Sequence, residues 1–192
     1  SVLIKQSIRG TRAKWMELAL RTSSLNLSAK LVSTQTINQR FEALRSTLDL
    51  ENIPERIECF DVSHSSGEAT VASCVVFDSS GPVKNEYRKF NIEGVGANDD
   101  YAAMDQALRR RYKRLVNGEG RVPDILLIDG GKGQLGIARE ALSELGVVGV
   151  MIVGVAKGST RKAGFETLIL ADENRVVAEP DQAALHLIQQ IR

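Results

Sequence analysis

Ile125-Leu-Leu-Ile128 is apolar at every position and stops on Asp129-Gly130-Gly131. A strand with one wet face alternates apolar and polar residues, so an unbroken run of this kind reads as a strand covered on both sides. Such a strand needs helices above and below its sheet. The chain supplies them around this run. Asp99-Asp100 opens a helix through Tyr101, Met104, Leu108 and Tyr112, and Leu135–Leu145 has the same spacing. Val150–Val155 is a further buried strand. Strands alternating with helices in this way predict parallel pairing through crossover connections.

Upstream, three segments read as strands with short gaps. Arg56–Asp61 has a short apolar rhythm, Thr70–Phe77 is rich in β-branched residues, and Val83–Asn91 is apolar at Val83, Tyr87 and Phe90. Asp78-Ser-Ser-Gly81-Pro82 is a turn cluster between them. The spacing predicts an antiparallel meander. The fold class is therefore α/β with a mixed sheet of order β-β-β-α-β-α-β. Three antiparallel strands stand at one side, and parallel strands with crossover helices at the other. Thr167–Leu170 and Val176–Ala178 suit a last hairpin, and Glu179-Pro180-Asp181 caps a final helix from Gln182 into Arg192.

The first fifty residues differ. They hold eight basic residues against Glu17, Glu42 and Asp49. Thr11–Ala19 and Thr36–Leu48 have helical apolar spacing, which predicts two amphipathic helices followed by a break at Asn52-Ile53-Pro54. A small, basic helical lobe over residues 1–54 and a main domain over 55–192 is the expected organisation. At 192 residues and a net charge of +1, the whole chain is neither a strongly basic nucleic-acid protein nor an acidic tail protein. Leu145–Ala156, the most apolar stretch, is too short to span a bilayer, and no secretory signal is expected. Two cysteines outside any C-x-x-C pattern and two histidines argue against a zinc site and suit a reducing cytoplasm.

Asp61 and Asp129 both follow apolar strands. If those strands are parallel neighbours, the carboxylates converge beyond one edge of the sheet, where open α/β folds place ligands. Adjacent carboxylates repel, and a hard divalent cation such as Mg²⁺ resolves the conflict. Turn hydrogen bonding alone also explains an aspartate at a strand end. Gly130-Gly131-Lys132-Gly133-Gln134 lacks the spacing and the hydroxyl residue of a nucleotide-binding P-loop. It reads as a strand-to-helix turn, or as a site where Lys132 and helix N–H groups meet a DNA phosphate. The loop after Val155 carries Lys157, Arg161 and Lys162, either solvated or placed to meet a phosphate backbone. Arg109-Arg110-Arg111-Tyr112-Lys113-Arg114 turns about 100° per residue and reads as a solvated helix end. Asp99 and Asp100 read as N-terminal caps, His64 as a loop residue, and His186 as half-buried.

Several blocks resemble the UvrC family of bacterial nucleotide excision repair: Glu58-Cys-Phe-Asp-Val-Ser-His64, Val71-Ala-Ser-Cys-Val-Val-Phe77, Asp99-Asp-Tyr-Ala-Ala-Met104, Leu127-Ile-Asp-Gly-Gly-Lys-Gly-Gln134 and Gly154-Val-Ala-Lys-Gly158 with Arg161-Lys162-Ala-Gly164. The resemblance covers essentially the whole chain. It implies an RNase H-like fold and a metal-dependent endonuclease that makes the 5′ incision beside a lesion with Mg²⁺ or Mn²⁺. Its partners would be lesion-bearing duplex DNA, UvrB and the UvrA–UvrB system, in the cytoplasm and without a membrane. It assigns Asp61 and Asp129 as catalytic, metal-holding aspartates and Asp100 as a further acidic position. The family's catalytic histidine belongs to an Arg-Asp-Glu-x-His segment directly after the helix that here ends at Arg192, so His186 is not its counterpart. The chain as given is then expected to be inactive alone. A non-catalytic module that docks DNA or repair partners is the alternative.

Overall fold

The computed structural model describes residues 9–65, 69–96, 99–156, 166–170, 176–177 and 181–192. Two compact units divide between Thr36 and Ile37. A single helix, α1, runs Thr11–Leu48 where two were expected. The reason is local. No Gly or Pro occurs between Gly10 and Pro54, and the intervening threonines Thr34 and Thr36 bond back to the Lys30 and Val32 carbonyls at 3.0 and 2.9 Å. Nothing in the first unit breaks the helix.

The helix stops earlier than the expected break at Pro54. Asp49 takes a left-handed φ of 58°, and Leu50 N–H donates to the Arg45 carbonyl at 3.0 Å while Asp49 N–H reaches Ser46 at 3.3 Å. That is a Schellman C-cap with aspartate in the place usually held by glycine. In the first unit Trp15, Leu18, Leu25 and Val32 are exposed, so the expected amphipathic face over Thr11–Ala19 buries nothing within that unit. In the second unit Ile37, Phe41, Leu44 and Leu48 of α1 are buried against the sheet. This is why the end of α1 belongs with the sheet rather than with a lobe reaching residue 54.

The sheet contains β1 (Arg56–Ser65), β2 (Ala69–Asp78), β3 (Gly81–Pro82), β4 (Arg88–Asn91), β5 (Ile125–Ile128), β6 (Met151–Ala156), β7 (Thr167–Leu170) and β8 (Val176–Val177). The order is β3-β2-β1-β5-β6-β7-β8, with β4 also pairing β2. The β1–β5 and β5–β6 pairs are parallel and the remaining pairs antiparallel. The mixed α/β sheet is thus the one read from the sequence, with two differences. β1 continues past Asp61 to Ser65 because residues 61–65 pair with β2. The strand expected over Val83–Asn91 is interrupted by a 3-10 turn at Lys84–Glu86, leaving only Arg88–Asn91 paired. Ala178 of the expected last hairpin lies outside the described residues.

Alternation along the strands divides the core in two. Phe60, Cys74, Leu126, Ile128 and Ile152 pack under α2 (Asp100–Val116) and α3 (Lys132–Glu144). Cys59, Leu127, Val153 and Leu168 pack under α1 and α4 (Gln182–Ile191). Asp181 caps α4 as expected, accepting from Ala183 N–H at 2.8 Å.

One charge lies wholly inside. Glu58, on β1, is 0% exposed and accepts Arg111 Nη2 at 2.6 Å and Arg56 Nη2 at 3.0 Å. Burial works against the Arg111 cation, but the hydrogen bond and charge of Glu58 outweigh it and hold the guanidinium above its ordinary value. Arg111 therefore ties α2 to the sheet and is not part of a solvated helix end. Breaking a buried pair from one side leaves an uncompensated charge, at about 3–5 kcal/mol. Glu58→Ala should lose about that much in urea unfolding, and an unchanged midpoint would refute this role.

Candidate active site

Pairing of β1 with β5 runs Ile57↔Ile125 through Phe60↔Ile128. One residue further, Asp129 N–H donates to the Phe60 carbonyl at 3.0 Å. Asp61 and Asp129 are therefore register neighbours on adjacent parallel strands, about 4.8 Å apart along the sheet. Alternation puts both on the α4 face, with Cys59 and Leu127. Asp61 is not at a strand end. It stands opposite Ser73 within the β1–β2 hairpin, at the point where β5 stops.

Two residues that drew no notice in the sequence join them. Arg192, after α4, places Nη2 at 2.7 Å from Asp129 Oδ1, with side chains 16% and 24% exposed. Its Nη1 lies 3.9 Å from Glu166 Oε1. Glu166 is buried before β7, and both its oxygens accept Gln189 Nε2 at 3.1 Å. No local pattern marked Glu166, because its neighbours come from α4. For Arg192 the only sequence signal was a cation at a helix end.

Cys59 lies beneath this edge. Burial, then the charge of Asp129 and, less strongly, of Asp61, push its thiol up to about 12 against the opposing Arg192. Burial likewise pushes Cys74 well up, helped by Glu58. At pH 8 both are protonated and inaccessible, which makes them poor nucleophiles.

Asp100 does not join Asp61 and Asp129. Its Oδ1 meets His64 Nε2 at 2.5 Å, and His64 Nδ1 meets Thr70 Oγ1 at 3.0 Å. His64 is a strand residue three positions after Asp61, so it faces the α2 side. The capping role belongs to Asp99 alone, whose side chain accepts Ala102 N–H at 3.0 Å. His186 is exposed rather than half-buried. Lys132 opens α3 and is exposed beside Asp129 in the chain. Lys157, Arg161 and Lys162 lie outside the described residues. Among the described residues, no three His, Cys, Asp or Glu side chains gather as a metal-binding group. The oxygen-only pair Asp61–Asp129 is still a donor set that suits Mg²⁺ or Mn²⁺, which take one or two carboxylates and complete their shell with water and phosphate. The Arg192 guanidinium already balances one of these charges with a cation.

The glycines after Asp129 serve packing. A Cβ on Gly133 would lie 2.5 Å from the Tyr101 hydroxyl, so the first turn of α3 passes directly under the α2 tyrosine. A Cβ on Gly130 would meet the flexible Gln134 side chain.

A family model for the UvrC RNAse H endonuclease domain matches residues 45–192. The chain belongs to this family. UvrABC system protein C of Pseudomonas fluorescens is 58% identical over 190 residues, and that of Pseudomonas aeruginosa PAO1 60%, each alignment covering 98% of this chain. The chain spans about a third of these relatives, 31% of each. Among solved structures, human ENDOV is 18% identical with a TM-score of 0.42, over 70% of this chain and 74% of that one. Ciona intestinalis Endonuclease V in complex with inosine-containing DNA is 20% identical at a TM-score of 0.41, over 69% and 59%. Membership of the UvrC RNase H family agrees with the mixed sheet and with the RNase H-like reading of the sequence.

Two outcomes follow from the packing. Gly133→Ala should destabilise the UvrC domain by about 1–3 kcal/mol, and Tyr101→Ala in the same chain should recover part of the loss, measured as a double-mutant cycle in urea. Additive losses would refute the contact. Thiol labelling at pH 8 should proceed only as the domain unfolds, and rapid labelling of the native protein would contradict the burial of Cys59 and Cys74.

Proposed function

We propose that this chain is the metal-dependent phosphodiester hydrolase of a UvrC protein, making the 5′ incision beside a lesion in duplex DNA. It would act in the cytoplasm with the UvrA–UvrB system, in keeping with the UvrABC name its relatives carry. No helix among the described residues is long and apolar enough to cross a membrane. The observation that carries the reading is the placement of Asp61 beside Asp129 on adjacent parallel strands.

In this reading Asp61 and Asp129 hold Mg²⁺ or Mn²⁺. When bound, such an ion lowers the pKa of coordinated water and offsets charge on the phosphoryl oxygens. The remaining work falls to the chain. Arg192 orients Asp129 through Oδ1 and is itself steadied by Glu166 and Gln189. Lys132 and the N–H groups opening α3 offer a place for a backbone phosphate beside Asp129. Lys157, Arg161 and Lys162 follow β6, the other parallel neighbour of β5, and are proposed as further backbone contacts. Asp100 is proposed to act on the opposite side through its hydrogen bond with His64 rather than as a metal ligand.

Mn²⁺ titration of wild type, Asp61→Asn and Asp129→Asn tests the centre. Binding lost in both variants supports it, and unchanged affinity overturns it. In a chain extended past Arg192 through the family's histidine segment, with the partner subunits supplied, the same substitutions should lower Mn²⁺-dependent nicking of lesion-bearing duplex by two orders of magnitude or more, roughly the 3–4 kcal/mol expected for lost transition-state stabilisation. DNA binding that is salt-sensitive yet indifferent to metal and to these substitutions would favour a non-catalytic docking module instead.

A further inference from the structure

We propose that the face of β1, β2 and β4 beyond Asp61 is a track for one DNA strand, with Lys89 as its phosphate contact. This rests on the reading of Asp61 and Asp129 as the incision site and names the surface that leads to it.

Register defines the track. Asp61 stands beside Asp129 on one side and opposite Ser73 on the other, and Ser73 stands opposite Lys89. Directly opposed residues project from the same face of a sheet. One row therefore runs carboxylate, carboxylate, hydroxyl, ammonium across β5, β1, β2 and β4. At about 4.8 Å per strand, Lys89 stands roughly 10 Å from Asp61. The next row is Ser63, Val71 and Asn91. Its side chains are small enough for a sugar-phosphate backbone to approach the sheet.

A groove of about 580 Å³ lies here, lined by Ser63, Ser73, Tyr87, Arg88 and Lys89 among others. Among its described lining residues there is no carboxylate. Lys89 and Arg88 are exposed. Arg88 stands opposite Cys74, which faces α2, and commits Nη1 to the Asn85 and Tyr87 carbonyls at 3.1 and 2.8 Å, so Lys89 is the cation of this row. A cation in a groove with an aromatic wall suits a single nucleic-acid strand. Cations on an edge strand also discourage edge-to-edge pairing. That role would leave no mark on DNA binding.

A second basic groove, on the opposite face, is lined by Phe90, Arg110, Lys113, Arg114 and Asn117. Its two arginines are engaged within the fold. Arg110 lies 5.5 Å over the Phe90 ring and donates to the Asn91 carbonyl at 2.7 Å, and Arg114 pairs with Glu119 at 3.7 Å. It serves as the comparator.

The test is the anisotropy of a labelled single-stranded oligonucleotide, titrated with this chain in EDTA over a KCl series. Each lost single-strand phosphate contact lowers the slope of log K against log[salt] by about 0.7. K89A should lower it by about 0.7, and R114A should leave it unchanged. An unaltered slope in K89A, or an equal loss in R114A, overturns the track. Thermal unfolding of the variants, whose changed side chains are exposed, confirms that the domain is intact. Asp61→Asn run in parallel separates the two readings. Lost Mn²⁺ binding with an unaltered K89A slope overturns the track alone. Retained Mn²⁺ binding overturns the incision site, and with it the destination of the track.

Discussion

The parallel pairing of β1 with β5 is the constraint on which the rest of the site depends. Asp129 N–H reaching the Phe60 carbonyl at 3.0 Å sets the register beyond the last apolar pair, and with it the adjacency of two carboxylates on one face. A slip of one residue would turn one of them to the opposite face, among the residues under α2. The apolar sequences of both strands guard against that slip, because each alternate side chain is committed to one of two separate cores.

The two faces of the sheet carry different kinds of charge. Under α2, Glu58 is sealed off with Arg111 and Arg56, and its oxygens are occupied by guanidinium groups and the Cys74 thiol. Under α4, Asp61 and Asp129 keep partial exposure, and Asp129 is met by an arginine from the end of a helix. The first arrangement is saturated and structural. The second keeps both carboxylates half-exposed.

Much of this was legible in the residues. Ile125–Ile128 announced a buried strand, Asp129-Gly130 its end, and the β-branched run of β2 its place in a meander. Other features were not. Thr11–Ala19 and Thr36–Leu48 read as two separate helices, yet helix continuity needs only the absence of a breaker, and there is none before Pro54. Asp61 looked like a strand end because apolar rhythm stops there, although hairpin pairing with β2 carries the strand on through polar residues. The arginine run looked uniform, while the fold sends Arg109 to Asp105 and Glu144, Arg110 to Phe90 and Arg111 into the core.

By itself the sequence determined the classes of element, their order and the two aspartates, since periodicity and charge at the end of an apolar run are local properties of a chain. Only the tertiary structure decided which side chains meet those aspartates. Glu166 just before β7, and Gln189 and Arg192 in and just after α4, lie far along the chain from Asp61, and Lys89 reaches the same row through two strand pairings. Such contacts are set by sheet order and register, which arise from packing many elements at once and leave no trace in the spacing of any one of them.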